Sequence, residues 1–325
     1  MVFYCSLGDR EGLGPILNTC ALCATTAFAG SVWCRDGLKV GRMPTTCRRS
    51  LPLALFSFSA ATCFSAATCA AGAASDQVPV TAHAITDEIQ VYNAEIAKVG
   101  QWTLEQHLNY AIDGLKQPDF PGGIIPNHAL NGTPEFAYGI TDWWEMGFYA
   151  PFAFDQNGTF YSNAAKLREL FVTPNAAERE FFYGVNFEFS YAMPQFSQTR
   201  WNLEIRPIIG FRRGDYQFIV NPILDSGFGK NGETSFAPCA RLARKLSEDL
   251  SVGIEYYTEL GPLPNFVSFE EEQHNIYGVV DFKVGRFDVN AGIGFGLTRA
   301  SDPVMAKIII GTDLTEGAPT SLRRP

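Results

Sequence analysis

The chain has 325 residues, of which 46% are hydrophobic, 13% aromatic and only 18% charged, against about a quarter charged in an ordinary soluble protein. Its net charge of −9 argues against a nucleic-acid partner, because holding phosphates needs a basic surface. Mean hydropathy is −0.02, and beyond residue 73 no apolar run reaches the 18 or so residues that a spanning helix needs.

Residues 1–42 show no periodicity. They hold a lone CxxC at Cys20 and Cys23 with no second pair at zinc spacing. From Met43 the order is that of a secretory signal peptide: Arg48 and Arg49, an apolar stretch from Leu51, then Ala71-Gly72-Ala73. The expected organisation is a mis-called upstream extension at 1–42, the signal at 43–73 and a periplasmic segment at 74–99. A barrel follows at 100–314 and a tail at 315–325. Only Cys239 lies beyond residue 73, so the exported chain has no internal disulfide.

The stretch "DEIQVYNAEIAKVG" (87–100) is ambiguous between a short helix and a periplasmic strand. Strict alternation begins after it. Trp102, Leu104, Leu108 and Tyr110 oppose Thr103, Glu105, His107 and Asn109. Later sets are Phe136, Tyr138 and Ile140, then Trp144, Met146 and Phe148. In "FFYGVNFEFSYAM" (181–193) every odd position from Phe181 to Met193 is aromatic or aliphatic. The even positions are small or polar except Phe182. The same period of two carries through Trp201 to Phe211, Tyr216 to Val220, Leu250 to Tyr256, Ile276 to Val284, Phe287 to Leu297 and Val304 to Ile310. Residues 160–172 show the poorest period.

Counting that segment, twelve strands are predicted, several 10 to 14 residues long. Soluble strands average about five or six residues, whereas tilted membrane strands need about 9 to 11. The connections alternate between long ones (113–133, 225–235, 261–273) and short ones (141–142, 212–215, 247–249, 285–286). That rhythm is expected of outer loops and periplasmic turns. A two-sheet sandwich would share the alternation but not the strand lengths or the loop rhythm. The predicted fold is all-β: a transmembrane antiparallel up-and-down barrel in the cell outer membrane, its aromatic face towards lipid.

The stretches "DEIQVYNAEIAKVGQWTLEQHLNYA" and "LRELFVTPNAAEREFFYGVNFEFSYAM" resemble bacterial outer-membrane proteins grouped as MetA-pathway phenol-degradation transporters. The resemblance covers most of the exported chain through diffuse motifs. It implies a twelve-stranded barrel that passes small, often aromatic, compounds, and it transfers no binding residue. One departure is the tail "TEGAPTSLRRP" after Leu314, where such barrels end on an aromatic residue.

Parity assigns Glu105, His107, Glu145, Glu188, Glu204, Arg206, Arg212, Arg241, Glu255 and Asp281 to a polar lumen. Apolar residues in the long loops, Phe120, Phe266 and Phe269, are candidates for capturing a solute. No catalytic constellation is read. A lipase needs a serine beside a histidine with an orienting group, and His107 has no serine at two-residue spacing. No metal or cofactor is expected. The predicted function is a channel for small, aromatic or apolar compounds; the alternatives are a lipase-like barrel enzyme and a closed structural barrel. Lipid and a small solute are the expected partners, with oligomeric state open.

Overall fold

The computed structural model describes residues 88–317. The expected extension and signal peptide, and the tail beyond residue 317, lie outside the described residues.

Sixteen strand segments follow in order. The first eight are β1 (Trp102–Asp113), β2 (Leu130–Gly139), β3 (Trp144–Tyr149), β4 (Phe152–Phe154), β5 (Phe160–Ser162), β6 (Ala165–Val172), β7 (Phe181–Tyr191) and β8 (Trp201–Arg213). The rest are β9 (Tyr216–Asn221), β10 (Leu224–Phe228), β11 (Thr234–Phe236), β12 (Cys239–Ser247), β13 (Leu250–Glu259), β14 (Gln273–Val284), β15 (Phe287–Gly296) and β16 (Val304–Asp313). Four spanning strands are broken in two: β3/β4 at Ala150-Pro151, β5/β6 at Asn163-Ala164, β9/β10 at Pro222-Ile223 and β11/β12 at Ala237-Pro238. Proline has no N–H for the ladder, which accounts for three of these breaks. Twelve spanning strands result. Each pairs antiparallel with the next, and β1 pairs with both β2 and β16, closing the ring. Closure leaves no edge along the ring itself; β5 and β11, at the long-loop end, each pair with one strand only.

Short connections such as 214–215, 248–249 and 285–286 gather at one end, and long ones such as 114–129 and 260–272 at the other. The expected loop at 225–235 is shorter than its sequence suggests. β10 and β11 pair through Asp225↔Ser235 and Ser226↔Thr234, leaving 229–233 as the tip.

The polarity of the wall is inverted relative to a soluble fold. Ile209, Leu242, Ile254 and Ile293 stand exposed on the outside, while Glu188, Arg206, Glu255 and Lys307 are buried inside. Aromatic rings form two girdles. At the short-turn end Trp102 meets Tyr138 at 4.9 Å and Phe181 meets Phe211 at 4.8 Å. At the long-loop end Tyr191 meets Trp201 at 4.8 Å and Phe154 meets Phe160 at 5.2 Å. An apolar band between two aromatic girdles on a closed barrel is the outer-membrane arrangement. The chain is an outer-membrane β-barrel.

Residues 88–99 correct the expectation of a periplasmic segment. They run down inside the barrel towards the short-turn end, neither helix nor strand, with one parallel bridge between Val99 and Gly139. Val91, Tyr92 and Ala94 pack with Leu170, Val172, Phe182, Ile208, Ile219 and Ile223 in the interior cluster. These wall residues, with Val279, Met305 and Ile309 elsewhere on the wall, are apolar exceptions to a polar inner face. Phe182 needs Gly210 opposite it, since a Cβ there would lie 2.0 Å from the Phe182 ring.

Candidate functional site

Among the described residues the buried charge gathers in the lumen, where strand parity puts it. Three ion-paired groups line the wall. On β1, β2, β3 and β6, Arg168 Nη1 lies 2.8 Å from Glu135 Oε1 and Arg168 Nη2 also pairs with Glu145. His107 Nε2 sits 3.2 Å from Glu135 and 3.8 Å from Glu105 in the same group. On β6, β7 and β8, Lys166 lies 3.5 Å from Glu188, and Arg206 holds Glu204 through Nε at 2.6 Å and Nη2 at 2.9 Å. On β12, β13, β14 and β16, Arg241 donates to Glu255 at 2.7 Å and to Asp281, and Lys307 donates to Glu255.

These groups hold the inserted segment. Asn221 accepts from Tyr92 N–H at 2.8 Å and donates to Tyr92 C=O at 3.2 Å, reproducing a strand partner with a side chain. The Tyr92 hydroxyl lies 2.9 Å from the Tyr149 hydroxyl, 3.0 Å from Glu188 Oε1 and 3.2 Å from Glu88 Oε2. The Arg206 guanidinium covers the Tyr92 ring at 4.3 Å and donates to Gln90 C=O at 3.1 Å. Lys307 donates to Ile89 C=O at 2.9 Å, and Glu145 accepts from Ala97 N–H. An irregular backbone away from water must find partners; here the wall's charged side chains supply several of them.

Above the segment, towards the long loops, a cavity of about 260 Å³ opens. Glu88, Ile89 and Gln90 contribute to its lining, with Lys166, Glu188, Glu204 and Arg206 on the wall. A smaller cavity of about 30 Å³ shares Ile89, Gln273, Asn275 and Tyr277 with it and adds Asp119 and Asp302. Burial pushes the Asp302 carboxyl above its usual range, against the opposing pull of Leu115 N–H, which donates to it at 2.8 Å, and of Lys116.

Of the residues expected in the lumen, His107, Glu145, Glu188, Arg206 and Glu255 are buried, and Glu204 and Arg241 are largely so. Glu105 and Asp281 are more open, their side chains 38% and 32% exposed. Arg212 sits apart, at the short-turn mouth, with its guanidinium 4.0 Å from the Phe182 ring centroid and a bond to Ala176 C=O at 2.6 Å. Among the loop residues Phe120 is a correction. It is 3% exposed, folded under Gly123 in its own loop, and unavailable for capture. Phe266 and Phe269 are exposed, yet lean on Phe236 at 6.3 Å and His274 at 4.8 Å.

Arg168 and Lys166 were missed because 160–172 shows no clean period. The break at Asn163-Ala164 resets the phase, after which Lys166, Arg168, Leu170 and Val172 share the inner face. The seat for residues 88–99 was also missed, although Phe182 stood out as an apolar residue of inward parity.

Glu105, His107 and Glu135 place three donor atoms within 4.8 Å of one another. A metal-bound histidine normally hands its second ring N–H to an acceptor, and His107 Nδ1 has no partner. Arg168 already occupies Glu135. The group reads as an ion-pair cluster.

No protein-family model matches the sequence, and no curated protein matches it. Among solved structures, an outer membrane channel from Pseudomonas putida F1 is similar at 12% identity and TM-score 0.47, covering 70% of this chain and 100% of that one. The NanC porin aligns at 7% identity and TM-score 0.43, covering 66% and 100%. The translocator domain of autotransporter NalP from Neisseria meningitidis aligns at 9% identity and TM-score 0.40, covering 69% and 91%. At these scores none of them bears on what this chain does, and its activity has to be argued from its own residues.

Proposed function

We propose that this protein is an outer-membrane channel for small solutes, and not an enzyme, with its lumen narrowed by its own residues 88–99. The observation that carries the reading is the combination of a polar lumen, a cavity on the long-loop side and an inserted segment held by side chains. A barrel serving only as structure has no need of a cavity lined with charge. The segment is not a strand of the wall, so its release leaves the closed ring of twelve spanning strands intact. Small compounds, aromatic or apolar ones among them, are the solutes this reading favours, in line with the resemblance of "DEIQVYNAEIAKVGQWTLEQHLNYA" to phenol-degradation transporters. The outer face and its girdles meet lipid.

The test is single-channel conductance in planar bilayers, comparing the full-length protein with a variant lacking residues 88–97. The expected result is a small conductance that rises severalfold in the deletion. Silence in both proteins, each shown to be folded, overturns the channel and leaves a closed barrel.

A further inference from the structure

We propose that the outer cavity is a binding site for a small organic cation, an ammonium compound carrying an aromatic or apolar body. The inference rests on reading the lumen as a solute path, and it names the class of solute that the path receives.

Charge carries the first part of the argument. The cavity is lined by six carboxylates, Glu88, Glu188, Glu204, Asp225, Glu233 and Glu259, and by two bases, Lys166 and Arg206. Both bases are already engaged: Arg206 holds Glu204 at 2.6 Å, and Lys166 lies 3.5 Å from Glu188 and 3.7 Å from Glu88. Acidic groups therefore outnumber basic ones in the lining by six to two. The adjoining small cavity adds Asp119 and Asp302 and no base. A pocket with walls of one sign concentrates ligands of the other, and an anion entering here meets carboxylates on several strands.

The second part concerns the body of the ligand. An inorganic ion would need only oxygen atoms. This cavity also presents Tyr257, Tyr277 and Phe196. The two tyrosine rings are packed edge to face at 5.4 Å, and Lys307 Nζ lies 5.7 Å and 5.9 Å from their centroids; the pair already holds one ammonium group within the wall, and the part of it that lines the cavity sets aromatic surface beside the carboxylates. Tyr277 stands where it does because β15 has Gly294 opposite: a Cβ there would lie 2.3 Å from the ring. A volume of about 260 Å³ lies just below the usual range for ligand pockets, which starts at about 300 Å³, and suits a compound no larger than a single ring. Ser190, Ser226, Asn231 and Gln273 complete a polar lining suited to hydrated entry.

The test is isothermal titration of the full-length protein in detergent with benzyltrimethylammonium, benzyl alcohol and benzoate, three single-ring probes that differ in charge. The expected result is one-to-one binding of the cation, on the order of tenfold or more tighter than of the other two. Binding should weaken as ionic strength rises. The double variant Asp225→Asn/Glu259→Gln should lose about tenfold in affinity for the cation. Asp249→Asn, at a short turn on the far mouth, should lose nothing. Folding of each variant is checked by its faster migration unheated than boiled. Should the double variant fail that check, the ranking of the three probes on the unaltered protein still decides. Benzoate or benzyl alcohol binding as tightly as the cation, or no cation binding, overturns the proposal. So does a folded double variant that binds the cation normally. Conductance without cation binding sinks this inference and spares the channel; cation binding without conductance does the reverse.

Discussion

Asn221 shows how much a single side chain settles inside this barrel. It is fully buried and makes both backbone hydrogen bonds of Tyr92. Replacing it with Leu, of similar size, leaves a donor and an acceptor without partners, at about 1–3 kcal/mol for each. Amide exchange at Tyr92 should quicken at least tenfold in Asn221→Leu, and an unchanged rate would remove Asn221 from the latch. Phe182 acts through packing instead. Its ring is fully buried between Gly210 and the inserted segment, so Phe182→Ala should cost about 3–5 kcal/mol, read from urea unfolding in vesicles. Glu255 binds Arg241 and Lys307 together. Glu255→Gln leaves buried Lys307 without its carboxylate, and removing one partner of a buried pair typically costs about 3–5 kcal/mol.

At the scale of the strand, β13 separates its two environments one residue apart. Ile254 is 53% exposed on the outer face while Glu255 is 1% exposed on the inner one. Ile254→Arg should destabilise the folded barrel by about 2–4 kcal/mol, the cost of a cationic side chain near mid-membrane. The same change at Thr312, near the short-turn end of β16, should cost about 0–1 kcal/mol; equal costs at the two positions would contradict the lipid assignment. The outer loops are tied by Asp302, which accepts from Leu115 N–H. Its folded carboxyl binds a proton more tightly than an unfolded aspartate because burial disfavours the charge. Folding therefore takes up protons there, and this contribution to stability is fully present below the unfolded value and declines as pH rises through the folded one. Protease cleavage within 114–129 should accordingly be slowest in acid. Asp302→Asn, which keeps the acceptor and cannot ionise, should flatten that dependence.

For the whole molecule, closure is the dominant fact. Every spanning strand is paired on both sides, as backbone in hydrocarbon requires. Such a barrel resists detergent until boiled, so the unheated protein should migrate faster on a gel. The variant lacking residues 88–97 should keep this behaviour, because it loses no strand. A shift lost together with the segment would mean that the insert supports the wall and does not merely fill the lumen.

The alternation of Phe181 to Tyr191, the strand lengths and the loop rhythm were enough to read a twelve-strand barrel, because lipid and water select opposite residues at a period of two. Parity likewise places Glu145, Glu188, Arg206 and Glu255 inward, where they are buried. Where proline or an Asn-Ala step breaks a strand the phase resets, and Lys166 and Arg168 vanished from view. The position of residues 88–99 is tertiary: nothing local distinguishes a periplasmic strand from a strap whose backbone is satisfied by Asn221, Arg206 and Lys307 from distant strands. The same holds for the outer cavity, whose six carboxylates are spread from residue 88 to residue 259 and meet only because the sheet closes on itself.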